Sequence, residues 1–177
     1  FRSGIAKLSV EYYLAYYARL HALDVVALRY ANVYGPRQDP HGEAGVVAIF
    51  CQRLLSGQPP RINGDGLQTR DYVYVGDVVE ANVAAALQPL PAAGRLDARA
   101  FNIGTGVPTS VVELAASLQA AAGTALTPEF APHRPGEQLR SFVDVGKART
   151  ELGWAPKTTL ADGLQETYRW FADHRTN

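Results

Sequence analysis

The sequence contains no methionine and only one cysteine. A single thiol, Cys51, excludes an internal disulfide framework and is compatible with a reducing compartment. Within the apolar run AGVVAIFCQRLL it reads as a small core residue. Any charge excess is missing too: Lys plus Arg and Asp plus Glu stand at 17 each. That balance argues against a general nucleic-acid binder, yet leaves room for a local cationic pocket. No apolar stretch approaches the roughly 18 residues that span a bilayer. Neither a signal peptide, an internal repeat nor a low-complexity tract is visible. The opening, FRSGIAKLSVEYYLAYYARLH, has no initiator methionine and no polar tail, and an amphipathic helix is under way within four residues. The expectation is that this chain continues a longer protein.

What is present is an ordinary globular composition: 177 residues, 47% hydrophobic and 19% charged, enough to bury a core. Ile5, Leu8, Tyr12, Ala15, Tyr16 and Leu20 recur at helical spacing and predict a helix over 4–21. Tyr12, Tyr13, Tyr16 and Tyr17 cover more than one of its faces, so it can pack on a core and on a partner. VVALRY (25–30) predicts a strand buried on both faces. Residues 31–45 predict a loop, dense in Gly, Pro, Asn and Asp. A helix over 46–57, closed by Gly57, follows. Then come a short strand at 60–62, a turn at 64–66 and a strand at 68–75. Asp77 and Glu80 form a capping-box pattern opening a helix over 77–88, and Ser110 with Glu113 opens another over 110–122. Between them AFNIGTG (100–106) runs from strand into a glycine turn. Residues 127–145 read as extended, GKARTELGW as a short helix, and Thr159 opens the last helix, 160–174. Alternating strands and helices make this an α/β chain. Only three segments read as principal strands, few for a complete doubly wound domain.

Chemistry concentrates in a few positions. Arg70 lies between a glycine turn and a buried strand, and Arg134 is fixed by the proline and glycine after it. Arginines held this way suit a phosphate, which takes paired N–H donors; the alternative is a strand-end arginine paired to Asp71 or Glu137. Asn32, just past a strand, lies where open α/β sheets bind ligands, or else tightens the turn through its own backbone. Lys7, one turn into a helix, reads by itself as a solvated charge.

Taken together, GIAKLSVEYYLAYYARLHALDVVALRYANVYGPRQDPHGEAGVVAIF, INGDGLQTRDYVYVGDVVEA, FNIGTG and HRPGEQLRSFVDVGKARTELGW resemble the later half of the extended short-chain dehydrogenase/reductases. The nearest resemblance is to the NAD-dependent UDP-glucose 4-epimerases, from about residue 3 to the end. The resemblance implies the C-terminal portion of an extended Rossmann-type fold, its last core helix and strands joined to a smaller α/β substrate domain. Residues 1–35 would be the remnant of the NAD-binding domain. Residues 36–177 would mainly bind the nucleotide sugar, with 68–106 partly returning to the Rossmann sheet. An upstream half would carry the G-x-x-G-x-x-G turn for the NAD pyrophosphate and a catalytic Ser or Thr.

Site roles follow from the same resemblance. Lys7 matches the lysine of the family's Tyr-x-x-x-Lys pair, which binds the nicotinamide ribose and lowers the tyrosine's pKa. Ser3 stands in the tyrosine's place, and an aliphatic hydroxyl is a far weaker acid than a phenol of pKa about 10. Tyr30 would lie beside the nicotinamide. Asn32, Arg70 and Arg134 would hold the diphosphate, Glu137 the ribose hydroxyls, and Tyr72 would line the pocket. Val46, Val47 and the backbone from Arg61 to Asn63 would edge the uracil; Asn63 replaces the usual Tyr or Phe, and Ala31 a commoner Phe. Ser141 matches a wall residue whose small size admits N-acetylated sugars. The implied activity is reversible hydride transfer at sugar C4 through NAD, in a cytoplasmic homodimer joined by the first helix, with no metal, membrane or nucleic acid. The isolated chain is expected to be inactive. Rival readings are a 4,6-dehydratase or UDP-glucuronate decarboxylating enzyme, or a non-catalytic UDP-sugar-binding or dimerising module.

Overall fold

The structure, a computed structural model, describes residues 2–40, 45–90 and 97–174, and for Arg2 and Ser3 the backbone only. Residues 41–44 of the expected loop 31–45 and residues 91–96 therefore lie outside the described residues, as does the Ser3 side chain. Chain order begins with helix α1 (Arg2–His21), strand β1 (Ala27–Tyr30), strand β2 (Asn32–Tyr34), helix α2 (Val46–Leu55) and strand β3 (Arg61–Asn63). Strand β4 (Thr69–Tyr74), helix α3 (Val75–Leu87), strand β5 (Ala100–Ile103), strand β6 (Pro108–Ser110) and helix α4 (Val111–Ala122) follow. The chain ends in β7 (Glu129–Ala131), β8 (Arg140–Ser141), α5 (Gly146–Glu151) and α6 (Leu160–Asp173).

β4 is the hub. It pairs in parallel with β2, Asn32 beside Tyr72, and antiparallel with β6, Arg70 beside Thr109. It also pairs in parallel with β8, Arg70 beside Ser141. Side chains alternate across a strand, so β4 feeds two cores. Tyr72 and Tyr74 join Tyr34, Phe50, Leu54, Ile62, Leu114, Leu118 and Leu164 in a core between α2, α4 and α6. Val73 joins Phe101, Ile103, Leu152 and Trp154 in the other. β1 and β5 form a separate parallel pair, and so do β3 and β7.

Local signals explain several ends. Ser110 Oγ accepts from Glu113 N while the Glu113 carboxylate accepts from Ser110 N, the reciprocal cap expected of S-x-x-E. α4 then stops at Gly123, whose φ of 66° is the left-handed turn that favours glycine. Thr159 caps α6 by accepting from Asp162 N. Gly163 is required there because the Tyr34 ring end occupies the space of a Cβ.

Four expectations are corrected. Residues 32–34 are strand, not loop: Val33 and Tyr34 match β4 in register despite the Gly-Pro that follows. Residues 108–110 form an edge strand that the preceding glycine turn concealed. β1 is only half buried, with Arg29 and Tyr30 exposed, since it has β5 alone as a neighbour among the described residues. Asp77 makes no capping box, because α3 begins at Val75 after an uncapped Tyr74. The buried Asp77 carboxylate instead accepts from Lys157 N, Thr158 N and Thr158 Oγ1, tying the approach to α6 onto α3.

A buried carboxylate that holds three donors is expensive to remove, because those donors lose their partner in a partly buried site. Asp77→Ala should lower unfolding free energy by about 2–4 kcal/mol in urea titrations. A change under about 0.5 kcal/mol would show that the 157–158 donors are satisfied without it.

Candidate functional site

The even residues of β4, Gln68 just before it and Arg70 and Tyr72 within it, form the floor of a cleft of about 830 Å³. Asn32 on β2 lies beside Tyr72 and extends that floor. One wall is α2, which presents Val46, Ile49, Phe50 and Arg53 at helical spacing. A second wall is β3, where Arg61 and Asn63 face the cleft and Ile62 faces the core. Arg134, Pro135, Gly136 and Glu137 complete the rim. A turn closed by Glu137 N donating to Arg134 O, with φ of 75° at Gly136, puts Arg134 and Glu137 on one side. The neighbouring His133 ring packs on Gly64, leaving no space for a side chain there.

The cleft is cationic. Among the described residues, four arginines line it against one carboxylate, that of Glu137. Two are anchored: Arg53 donates to Pro59 O at 2.6 Å and pairs with Glu129 at 2.9 Å. Arg70 donates to Thr69 O at 2.8 Å and reaches Glu137 Oε1 at 3.5 Å. Among the described residues, the guanidinium groups of Arg61 and Arg134 take no hydrogen-bond or ion-pair partner. These two side chains are exposed at the cleft rim, and neighbouring guanidinium groups with unspent donors favour an anion able to accept from several at once. Asp71, the other proposed partner of Arg70, points away: its buried carboxylate accepts from Thr105 N, Thr105 Oγ1 and Gly106 N.

Eight of the ten residues expected to bind substrate line this cleft: Asn32, Val46, Arg61, Asn63, Arg70, Tyr72, Arg134 and Glu137. Val47 does not. It is 1% exposed and packed in the core, because consecutive helical residues point about 100° apart. Ser141 pairs beside Arg70 on β8 without lining the cleft. Lys7 is exposed on α1, and Tyr30 is half exposed with its hydroxyl donating to Asn82 Oδ1 at 2.9 Å; neither lines the cleft. Cys51 is fully buried and burial pushes its thiol up to about 12, as suits a core residue. Sequence reasoning missed Arg53 and Gln68. The i, i+3, i+4, i+7 stripe Val46–Ile49–Phe50–Arg53 and the two-residue step from Gln68 to Arg70 were the signals for them.

Among the described residues no cluster of three or more His, Cys, Asp or Glu could hold a metal ion. No helix there is long and apolar enough to cross a membrane. Fold and cleft together define an α/β protein with an arginine-lined cleft. Residues 4–104 match the NAD dependent epimerase/dehydratase family, and the chain belongs to it. It is 50% identical over 165 residues to the UDP-glucose 4-epimerase of Mycolicibacterium smegmatis, covering 93% of this chain and 51% of that protein. The crystal structure of the Thermotoga maritima UDP-glucose 4-epimerase with UDP-glucose superposes with a TM-score of 0.88 at 48% identity. That match covers 96% of this chain and 53% of the other. The Thermus thermophilus UDP-glucose 4-epimerase in complex with NAD gives 0.81 at 41% identity, covering 94% and 52%. The chain thus spans about half the length of the relatives it matches.

Burial pushes the Tyr72 phenol up to about 12, with Arg70 pulling the other way. An unfolded tyrosine ionises near 10, so the folded state holds this proton longer and Tyr72 lowers stability as pH rises from about 10 to 12. The urea midpoint should fall over that window and fall less steeply in Tyr72→Phe; identical slopes would contradict the assignment.

Proposed function

We propose that this chain forms the nucleotide-sugar side of a UDP-sugar 4-epimerase. The observation that carries the reading is the meeting of Arg70 and Arg134, 64 positions apart in sequence, in one cleft with Asn32 and Glu137. In this reading the two guanidinium groups neutralise the diphosphate and the Asn32 amide donates to it. The Glu137 carboxylate accepts from the ribose hydroxyls. Tyr72 stays neutral and shapes the floor. Clamping the nucleotide end leaves the sugar to be oriented for reaction, the use of remote binding energy that acceleration at C4 requires.

Toward NAD the chain offers Lys7 and Tyr30, an exposed ammonium and a half-exposed phenol ring. These fit the nicotinamide-ribose end of the cofactor, while the sequence holds no glycine-rich turn for its pyrophosphate. When bound, NAD would accept and return hydride at sugar C4. Lys7 would hold the ribose and favour the ionised form of a neighbouring acid. We place residues 1–35 with the cofactor domain and 36–177 mainly with the sugar nucleotide, and a second subunit against the exposed tyrosines of α1. Ser141 lies beside Arg70 but outside the cleft lining, so the extension of the substrate range to N-acetylated sugars rests on its small size alone. Ser3, four residues before Lys7, supports one second reading: a UDP-sugar-binding module without turnover. Ser3→Tyr in the complete protein raises the epimerisation rate if the first reading holds and leaves it unchanged if the second does.

Calorimetric titration with UDP tests the clamp. Arg70→Ala and Arg134→Ala should each weaken binding by about 10- to 100-fold, the worth of one charge-assisted contact, and added salt should narrow the gap. Wild-type affinity in both variants would exclude this cleft as the diphosphate site.

A further inference from the structure

Gln68 is buried to 5% exposure and contributes to the cleft floor. Its Nε2 donates to Asn63 O at 2.9 Å. That bond fixes which end of the amide is which, since only the nitrogen can donate to a carbonyl. Oε1 is thereby turned elsewhere, and it is a buried acceptor with no partner among the described residues. Such an atom is costly to leave unpaired and favours a ligand that brings a donor to it. Gln68 precedes Arg70 by two residues on the same face, about 7 Å along the strand at 3.3 Å per residue. With a phosphate at Arg70, that offset is the reach of a nucleoside from its phosphate to its base. Asn63 and Arg61 flank the same end of the cleft.

We propose that Gln68 reads the base of the bound nucleotide, accepting a hydrogen bond from a ring N–H and so selecting a uracil-type base over a cytosine-type one; this rests on the nucleotide-sugar reading of the cleft. A uracil presents N3–H at the ring position where cytosine, of nearly the same shape, presents a lone pair. A free amide could rotate to serve either. This one cannot without giving up Asn63 O. A cytosine therefore meets an acceptor with an acceptor and leaves both unpaired, the arrangement by which a polar pocket rejects an isostere.

Titration of the chain with UDP, CDP and inorganic pyrophosphate tests this, alongside Gln68→Met, which keeps the volume and removes the acceptor. The chain should bind UDP at least about tenfold more tightly than CDP. The variant should narrow that preference to within about threefold while binding pyrophosphate as the unaltered chain does. Gln68→Asn, whose shorter amide falls short of the base, serves the same purpose should Gln68→Met fail to fold. Equal affinity of the unaltered chain for UDP and CDP, or a full preference kept by a variant, would overturn the assignment. A chain that binds neither UDP nor pyrophosphate would instead overturn the nucleotide-sugar reading beneath it.

Discussion

The strand Thr69–Tyr74 has to serve two environments on alternate residues, and the rest of the molecule is arranged around that constraint. Arg70 and Tyr72 face the cleft; Asp71 and Val73 face the opposite side. Asp71 settles which face is which. Its carboxylate is 1% exposed and accepts three bonds from the Thr105–Gly106 turn, a network lost if the strand slipped by one residue. A slip would also turn Arg70 unpaired toward Phe101 and Ile103 and bring Val73 out into the cleft. Register here is set by charge and hydrogen bonding as much as by apolar pattern.

That constraint explains how the site is assembled from distant segments. β2, β6 and β8 all pair with β4, so Asn32 and Ser141 are positioned by main-chain bonds to the strand that carries Arg70. The β3–β7 pair brings Asn63 beside Ala131 and leads directly into the turn bearing Arg134 and Glu137. Concentrating four positive side chains in one concavity would be self-repelling if all were left bare. Glu129 balances Arg53 and Glu137 meets Arg70, while among the described residues Arg61 and Arg134 have no such partner. The cleft thus keeps a net positive lining that is not neutralised internally there.

Much of this was readable in the sequence, and the failures have specific causes. The S-x-x-E pattern at Ser110 is local, and it forms as written. The same reasoning failed at Asp77, whose partners Lys157 and Thr158 lie some 80 residues on and take its carboxylate for tertiary packing. β2 was missed because three residues before Gly-Pro look like loop until β4 is beside them. Arg70, Arg134, Asn32 and Glu137 were singled out through motifs, yet nothing short of the fold shows that they share a cleft. Val47 was placed wrongly beside Val46 because adjacency in sequence is not adjacency on a helix. Gln68 became visible only when the direction of its amide was known.

The central claim is that Arg70 and Arg134 act on one diphosphate, and a double-mutant cycle addresses it most directly. UDP affinities of the chain, Arg70→Ala, Arg134→Ala and the double variant give the coupling between them. Groups sharing one ligand moiety should depart from additivity by more than about 0.5 kcal/mol. Losses that sum in full would mean two independent contacts and would contradict the account.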